Sequence, residues 1–213
     1  MNVLKPKGIK NNNLIEVKNL LEEIAARDKI QNKKLEDLNM SKIEVYNIEF
    51  ETAIFNNVEI IDSKLEKNVF TDVEFKNCNF SNTSFENCIF IRCEFNNCKM
   101  TGCNFAEARL YNVSFIENNA NYANLSMTSM ENVLFKNTGL RSSSFQENSF
   151  KNVFFDKADL TQSQFFKTSL KNIDLSNSVI EGIAISIQDI KGASINQFQA
   201  VDLLYLIGVK IKI

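Results

Sequence analysis

Residues 69–105 read VFTDVEFKNCNFSNTSFENCIFIRCEFNNCKMTGCNF, and their reading decides the fold. Taken in fives, the stretch places Phe70, Phe75, Phe80, Phe85, Phe90, Phe95 and Phe105 at one position. The same phase runs on through Leu110, Phe115, Leu125, Phe135, Leu140, Phe145, Phe150, Phe155, Leu160, Phe165, Leu170, Leu175 and Ile180, and back through Leu65, Ile60, Phe55 and Phe50 to Val45. Fifteen of the 18 Phe fall on it, so the phase and not the composition is the signal. Two residues before each large residue sits a small or β-branched one, as in Ala53, Val58, Val73, Cys78, Thr83, Cys88, Cys93, Cys98, Cys103, Ala108 and Val113. Exceptions are Ala120 on the large phase and Asn68, Asn118 and Asn148 on the small one. No insertion or deletion interrupts the register, and a fixed internal period outranks other local signals.

A period of five fits neither a helix at 3.6 residues nor a strand at 2.0. It fits a coil of four short sides, one pentapeptide per side, with the large and small residues both turned inward. Residue i+20 then lies over residue i at the strand spacing of about 4.8 Å. The expected fold class is an all-β solenoid, a right-handed quadrilateral β-helix, in which each coil pairs only with its neighbours. Asn recurs two residues after the large position (Asn57, Asn77, Asn87, Asn97, Asn112, Asn132, Asn137, Asn152), where a corner calls for a residue that tolerates turn dihedrals. These residues resemble the pentapeptide-repeat family, whose unit is a small residue, Asp or Asn, Leu or Phe, then two polar residues. NANYANLSM (119–127), KADLTQSQF (157–165) and KNIDLSNSV (171–179) carry the resemblance.

A solenoid exposes an unpaired strand edge at each end, which has to be covered. The expected organisation is an N-terminal helical cap over 1–40, the β-helix over 41–195, and a C-terminal helix and strand over 196–213. Near the start, NNNLIEVKNLLEEIAAR (11–27) reads as an amphipathic helix with Asn13 as N-cap and Leu14, Val17, Leu21 and Ile24 on one face. At the other end, Asn196 and Gln199 form a capping-box pair, and the helix runs to Ile207 with Gly208 ending it. Ala200, Leu203, Leu204 and Ile207 make one apolar face. Phe198, Val201 and Tyr205, with Leu206 beside them, make a second. Val209, Ile211 and Ile213 alternate with lysines as a strand. Two apolar faces and a free strand predict a homodimer through the C-terminus, its interface drawn from Phe198, Val201, Leu204, Tyr205, Leu206, Val209, Ile211 and Ile213. The alternative is a monomer with both faces folded onto the last coil.

The chain has 24 basic and 26 acidic residues, a net charge of −2 and no histidine. Histidine-based acid–base catalysis, Ser-His triads and histidine metal sites are therefore excluded. No Gly-rich phosphate loop is present, and no catalytic residue, metal site or cofactor is expected. Cys88, Cys93, Cys98 and Cys103 recur at five-residue intervals, wider than the usual zinc spacing, and lie with Cys78 on the inward phase, where Cys packs as a small hydrophobe. The near-neutral charge gives no bias toward direct nucleic-acid binding. With no export signal and no membrane span, the expected location is the cytoplasm.

Outward apolar residues mark a candidate partner surface. Val69, Ile89 and Ile91 share a side with Arg109 and Tyr111, and Leu134 and Phe154 stack on the adjacent side. The acids Glu49, Glu51, Glu59 and Asp62 crowd the far tip. The close of the chain, DLSNSVIEGIAISIQDIKGASINQFQAVDLLYLIGVKI (174–211), resembles the quinolone-resistance (Qnr-type) branch of the family. There an aromatic-Gln-Ala helix and a Gly lead into a short strand, and tail-to-tail dimers form. That resemblance implies binding to DNA gyrase and topoisomerase IV, with protection from fluoroquinolones or toxins, in some members by DNA mimicry. The other reading is a dimeric interaction scaffold of unknown partner.

Overall fold

The computed structural model describes residues 3–9, 14–25 and 28–210. Elements in chain order are β1 (Ile15–Val17), α1 (Leu20–Ala25), β2 (Lys29–Glu36), β3 (Glu44–Tyr46), β4 (Glu49–Asn56), β5 (Lys64–Glu66), β6 (Val69–Lys76), β7 (Ile89–Asn96), β8 (Arg109–Ile116), β9 (Ser129–Lys136), β10 (Ser149–Asp156), α2 (Ile187–Ile190) and α3 (Gln199–Leu203). All described strand pairs are parallel, and from β2 onward each pairs at a separation of 20 residues, as in Phe50↔Phe70, Phe70↔Phe90 and Phe90↔Leu110.

Four corners per coil are visible in the backbone. A left-handed residue recurs at nearly every position ending in 2 or 7, from Asn32 (φ 54°) to Asn172 (φ 63°). That conformation costs an ordinary L-residue roughly 1–2 kcal/mol, least for Asn and Asp. Of 28 non-glycine residues so placed, 12 are Asn and three are Asp, which accounts for the abundance of Asn at this phase. Gly102 (φ 71°) fills the same corner, where a Cβ would meet Asn82 Oδ1 at 2.6 Å.

Inside, the large phase forms columns of rings. Phe55, Phe75, Phe95, Phe115, Phe135 and Phe155 stack in succession with centroids 4.4–5.2 Å apart. Neighbouring columns meet edge to face, as Phe75 and Phe80 do at 5.5 Å and 84°. Both arrangements are favoured by the ring quadrupole.

The small phase satisfies backbone polarity. Side chains there donate to the carbonyl 23 residues back: Thr138 Oγ1 to Phe115 O (3.0 Å), Ser143 Oγ to Ala120 O (3.0 Å), Cys103 Sγ to Phe80 O (2.9 Å). Two of the asparagine exceptions follow the same rule. Asn68 Nδ2 donates to Val45 O and Asn118 Nδ2 to Phe95 O, both at 3.0 Å, while their Oδ1 atoms accept from Ile48 N and Cys98 N.

The ends depart from expectation. Among the described residues of 11–27, helix occurs only in α1, capped by Asn19 Oδ1 accepting from Leu21 N (3.1 Å); Asn13 lies outside the described residues. β1 precedes α1 and pairs with β2, and β2 pairs with β4 in the 20-residue register, so the coils begin before residue 41. Ile30 and Leu35 continue the buried large phase. The small position between them is Lys33, only 5% exposed, whose ammonium pairs with Glu23 of α1 at 3.1 Å. An inward lysine is what hid this coil. A second departure follows β10. The coil after it does not continue its ladder, while the separate ladders of two other sides run on through Asp159↔Val179 and Gln164↔Ala184.

Candidate interaction surfaces

At the C-terminal end the capping box forms as the spacing predicts. Asn196 Oδ1 accepts from Gln199 N (3.0 Å), and Gln199 Oε1 accepts from Asn196 N (2.8 Å). The Gln199 amide also donates to Leu175 O and Ser178 O, tying α3 to the last coil. After α3 the chain tightens into a 3₁₀ turn over Leu204–Ile207, and Gly208 closes it at φ 73°. The apolar faces are rearranged relative to the helical projection. Leu203 and Leu206 pack on the core, so Leu206 is largely withdrawn from the predicted interface. Tyr205 keeps an exposed ring, but its hydroxyl donates to Ile183 O of its own last coil. Ile207, expected inside, is exposed. Leu204 is half-buried, and Phe198 (77% exposed), Val201 and Val209 face outward; Ile211 and Ile213 lie outside the described residues. Phe166, Val179 and Ile187 add exposed apolar area to this end. A depression of about 380 Å³ lies there between Phe166, Ile183, Ile185 and Tyr205.

Along the sides, the predicted strip is in register: Val69↔Ile89↔Arg109 and Thr71↔Ile91↔Tyr111. Its apolar members are half-buried and Arg109 is exposed. Leu134 and Phe154 pair across β9 and β10 and line a cleft of about 370 Å³ with Lys136, Asp156 and Asp174. This cleft opens where the ladder beyond β10 lapses.

Charge is interleaved rather than massed. Lys29 pairs with both Glu49 and Glu51 at the tip. Glu59 accepts from Asn39 Nδ2 (2.9 Å) and Asp62 from Asn82 Nδ2 (3.0 Å). Further coil-to-coil pairs are Lys64–Glu44, Lys151–Glu131 and Lys167–Glu147, at 2.7–3.1 Å. Arg92 forks onto Asp72 with two bonds of 2.7 Å. Burial alone would raise the Asp72 carboxyl, but Arg92 and the Lys7 N–H hold it below the ordinary range.

The five thiols are buried and unbridged. Burial pushes Cys88 and Cys93 up to about 12 and raises Cys98 and Cys103 as well, which disfavours the thiolate at those four, whereas a hydrogen bond with Cys98 lowers Cys78, kept from reagents by its burial alone. Among the described residues no cluster of three metal-binding side chains occurs. No described helix is long and apolar enough to cross a membrane.

Residues 68–144 and 88–165 match the family model described as a pentapeptide repeat region. These coils are pentapeptide repeats. The pentapeptide-repeat rod is similar to several solved structures. One is HetL, a pentapeptide repeat protein involved in heterocyst differentiation regulation from the cyanobacterium Nostoc sp. strain PCC 7120 (15% identity, 84% of this chain and 94% of that one, TM-score 0.48). Another is trypsin-treated QnrB1, a plasmid-mediated fluoroquinolone resistance protein (21% identity, 86% and 90%, TM-score 0.44). A third is a pentapeptide repeat protein from the Arabidopsis thaliana thylakoid lumen (17% identity, 62% and 84%, TM-score 0.36). No curated protein matches the sequence. Sequence reasoning missed two features of the pentapeptide-repeat rod, the cleft beside β10 and a strap formed by residues 3–9. The strap lies along the rod, Leu4 N–H on Asn112 Oδ1 (3.3 Å) and Lys7 N–H on Asp72 Oδ1 (2.8 Å). Pro6 was its only sequence-level signal.

Proposed function

We propose that this chain is a protein-binding rod that pairs with a second copy through its C-terminal end and presents its sides to a partner, without catalysis. The observation that carries this is the concentration of exposed large apolar residues at one end: Phe166, Val179, Ile187, Phe198, Val201, Tyr205, Ile207 and Val209. Exposed apolar groups gathered at one pole of a polar rod favour association there. Light scattering on the purified chain tests it. A dimer that becomes monomeric in Phe198→Glu/Val201→Glu, with an unchanged circular dichroism spectrum, supports the reading; a monomeric parent chain sinks it.

A narrower reading makes the partner a type II topoisomerase protected from fluoroquinolones or toxins. It is supported by the resemblance of residues 174–211, with Phe198-Gln199-Ala200 and Gly208, to the Qnr-type close. DNA mimicry fits this chain poorly. Duplex DNA carries one charge per roughly 1.7 Å, whereas the acids here alternate with lysines that pair with them from coil to coil. Contact through the apolar strip and the cleft suits the surface better. The purified chain titrated into a gyrase supercoiling reaction, with and without ciprofloxacin, is the test. Restored supercoiling in the drug's presence is expected. No rescue, no inhibition and no capture of gyrase would leave the unspecified-partner reading standing alone.

A further inference from the structure

The strap of residues 3–9 follows one corner column of the rod. Leu4 sits at Asn112, Lys7 at Asp72, and Gly8 against Thr52, whose Cγ2 would be 3.5 Å from a Cβ at that glycine. From Leu4 to Lys7 the strap advances three residues while the rod beneath it advances two coils, from Asn112 to Asp72. Two coils at strand spacing span about 9.6 Å. Three residues of polyproline II span about 9.3 Å and return the N–H to the same side. A β-strand of the same length would turn alternate N–H groups to opposite sides, and an α-helix would rise only about 4.5 Å. The burial pattern has the same period up to Lys7, with Val3 and Pro6 half-buried and Leu4, Lys5 and Lys7 exposed, and Gly8, left-handed at φ 73°, ends the run. No helix or strand is assigned to the strap, and a proline sits at its centre.

The coils therefore act as a ruler. Corner residues with acceptor side chains two coils apart match donors one polyproline-II turn apart. We propose that the Thr52–Asp72–Arg92–Asn112 column is a docking track for polyproline-II peptides. The chain's own residues 3–9 fill it here, and an extended, proline-containing segment of a partner protein replaces them. Both strap contacts run from the strap's backbone, so the recognised features are two non-prolyl residues three apart and apolar or prolyl residues at the phase between. The strap contributes no strand pairing, and Leu4 remains 44% exposed, which keeps it exchangeable. The column runs on past the strap through Asn132 and Asn152, joined by a 2.9 Å amide bond, so a longer segment has further track. This deepens the protein-binding reading but fails separately from it, because self-association at the other pole is measured independently.

The test uses the full chain and a fluorescent peptide of residues 1–10. Leu4→Pro/Lys7→Pro keeps polyproline-II geometry while deleting both donors, and so releases the strap without touching the rod. The peptide is expected to bind this double variant at least tenfold more tightly than the parent, whose strap competes. A peptide lengthened by one glycine between Lys5 and Pro6, which breaks the ruler, is expected to lose at least tenfold. Adding Asn112→Ala to the double variant should weaken binding as well. Absence of binding to the double variant, equal affinity for both chains, or undiminished affinity of the lengthened peptide would overturn the proposal. Should the double variant misfold, hydrogen exchange in the parent chain decides. Excess peptide must speed exchange at the Leu4 and Lys7 amides, the lengthened peptide must not, and no acceleration refutes the track.

Discussion

Asn118 and Asn148 look alike in sequence, both standing where the repeat expects a small residue, yet the structure gives them different energetics. Asn118 bridges two coils completely: its Oδ1 accepts from Cys98 N (2.7 Å) and its Nδ2 donates to Phe95 O (3.0 Å). Asn148 accepts from Thr128 N (2.9 Å), but its buried Nδ2 has no partner. The carbonyl 23 residues back, Leu125 O, is taken by Thr128 Oγ1 at 3.0 Å. Replacing Asn118 with Ala strands a buried N–H and a buried C=O, each worth about 1–3 kcal/mol, so the variant should lose about 2–6 kcal/mol. Asn148→Ala strands one N–H and removes an amide group already buried at a comparable cost, so it should lose no more than about 1 kcal/mol. Thr128→Val frees Leu125 O for the Asn148 amide, and in that background Asn148→Ala should cost about 1 kcal/mol more than in the parent. Guanidinium unfolding followed by circular dichroism, with unchanged m, provides all four numbers. Equal losses for the two alanine variants, or no coupling between residues 128 and 148, would refute the reasoning.

Other expectations follow from the same coils. Phe95→Ala removes a fully buried ring stacked between Phe75 (4.4 Å) and Phe115 (5.0 Å) and should cost about 3–5 kcal/mol, or roughly 6–20 °C of melting temperature, whereas Phe154→Ala at the cleft should cost under about 1 kcal/mol. Native protein at pH 8 should leave its five cysteines unreacted with a thiol reagent over minutes, with all five reacting in guanidinium; fast native labelling would contradict burial of the thiols. Because the folded Asp72 carboxyl lies below its unfolded value, its contribution is present above about pH 4 and lost as pH falls through the folded value. Asp72→Asn should therefore lower stability at pH 6 and flatten the loss between about pH 4 and pH 2, read from guanidinium midpoints; parallel pH profiles would contradict the pairing with Arg92.

The strength of the five-residue pattern came from its being local. Each pentapeptide places one large and one small side chain inward and one left-handed residue at a corner, whatever its neighbours do, so Phe75, Cys78 and Asn77 had their positions before any tertiary contact was known. The 20-residue register then follows, because four equal sides must close. The pattern failed where a single side chain violated it for a tertiary reason. Lys33 occupies an inward position only because Glu23 of α1 neutralises it, and without that partner the position reads as solvent.

The surfaces divide along the same line. The capping box of Asn196 and Gln199 was legible because both partners lie within one helical turn. Which of Tyr205, Leu206 and Ile207 faces the rod was not, because a 3₁₀ turn replaces the ideal helix and Tyr205 anchors to Ile183, one coil away. The strap and the cleft were beyond the sequence altogether. Leu4 meets Asn112 across 108 residues, and the lapse after β10 depends on how one coil seats on the next. Sequence alone determined what repeats, since a local rule applied along the chain needs no knowledge of the whole. Only the tertiary structure decided what happens once, at the ends and along one corner, where unrelated segments meet.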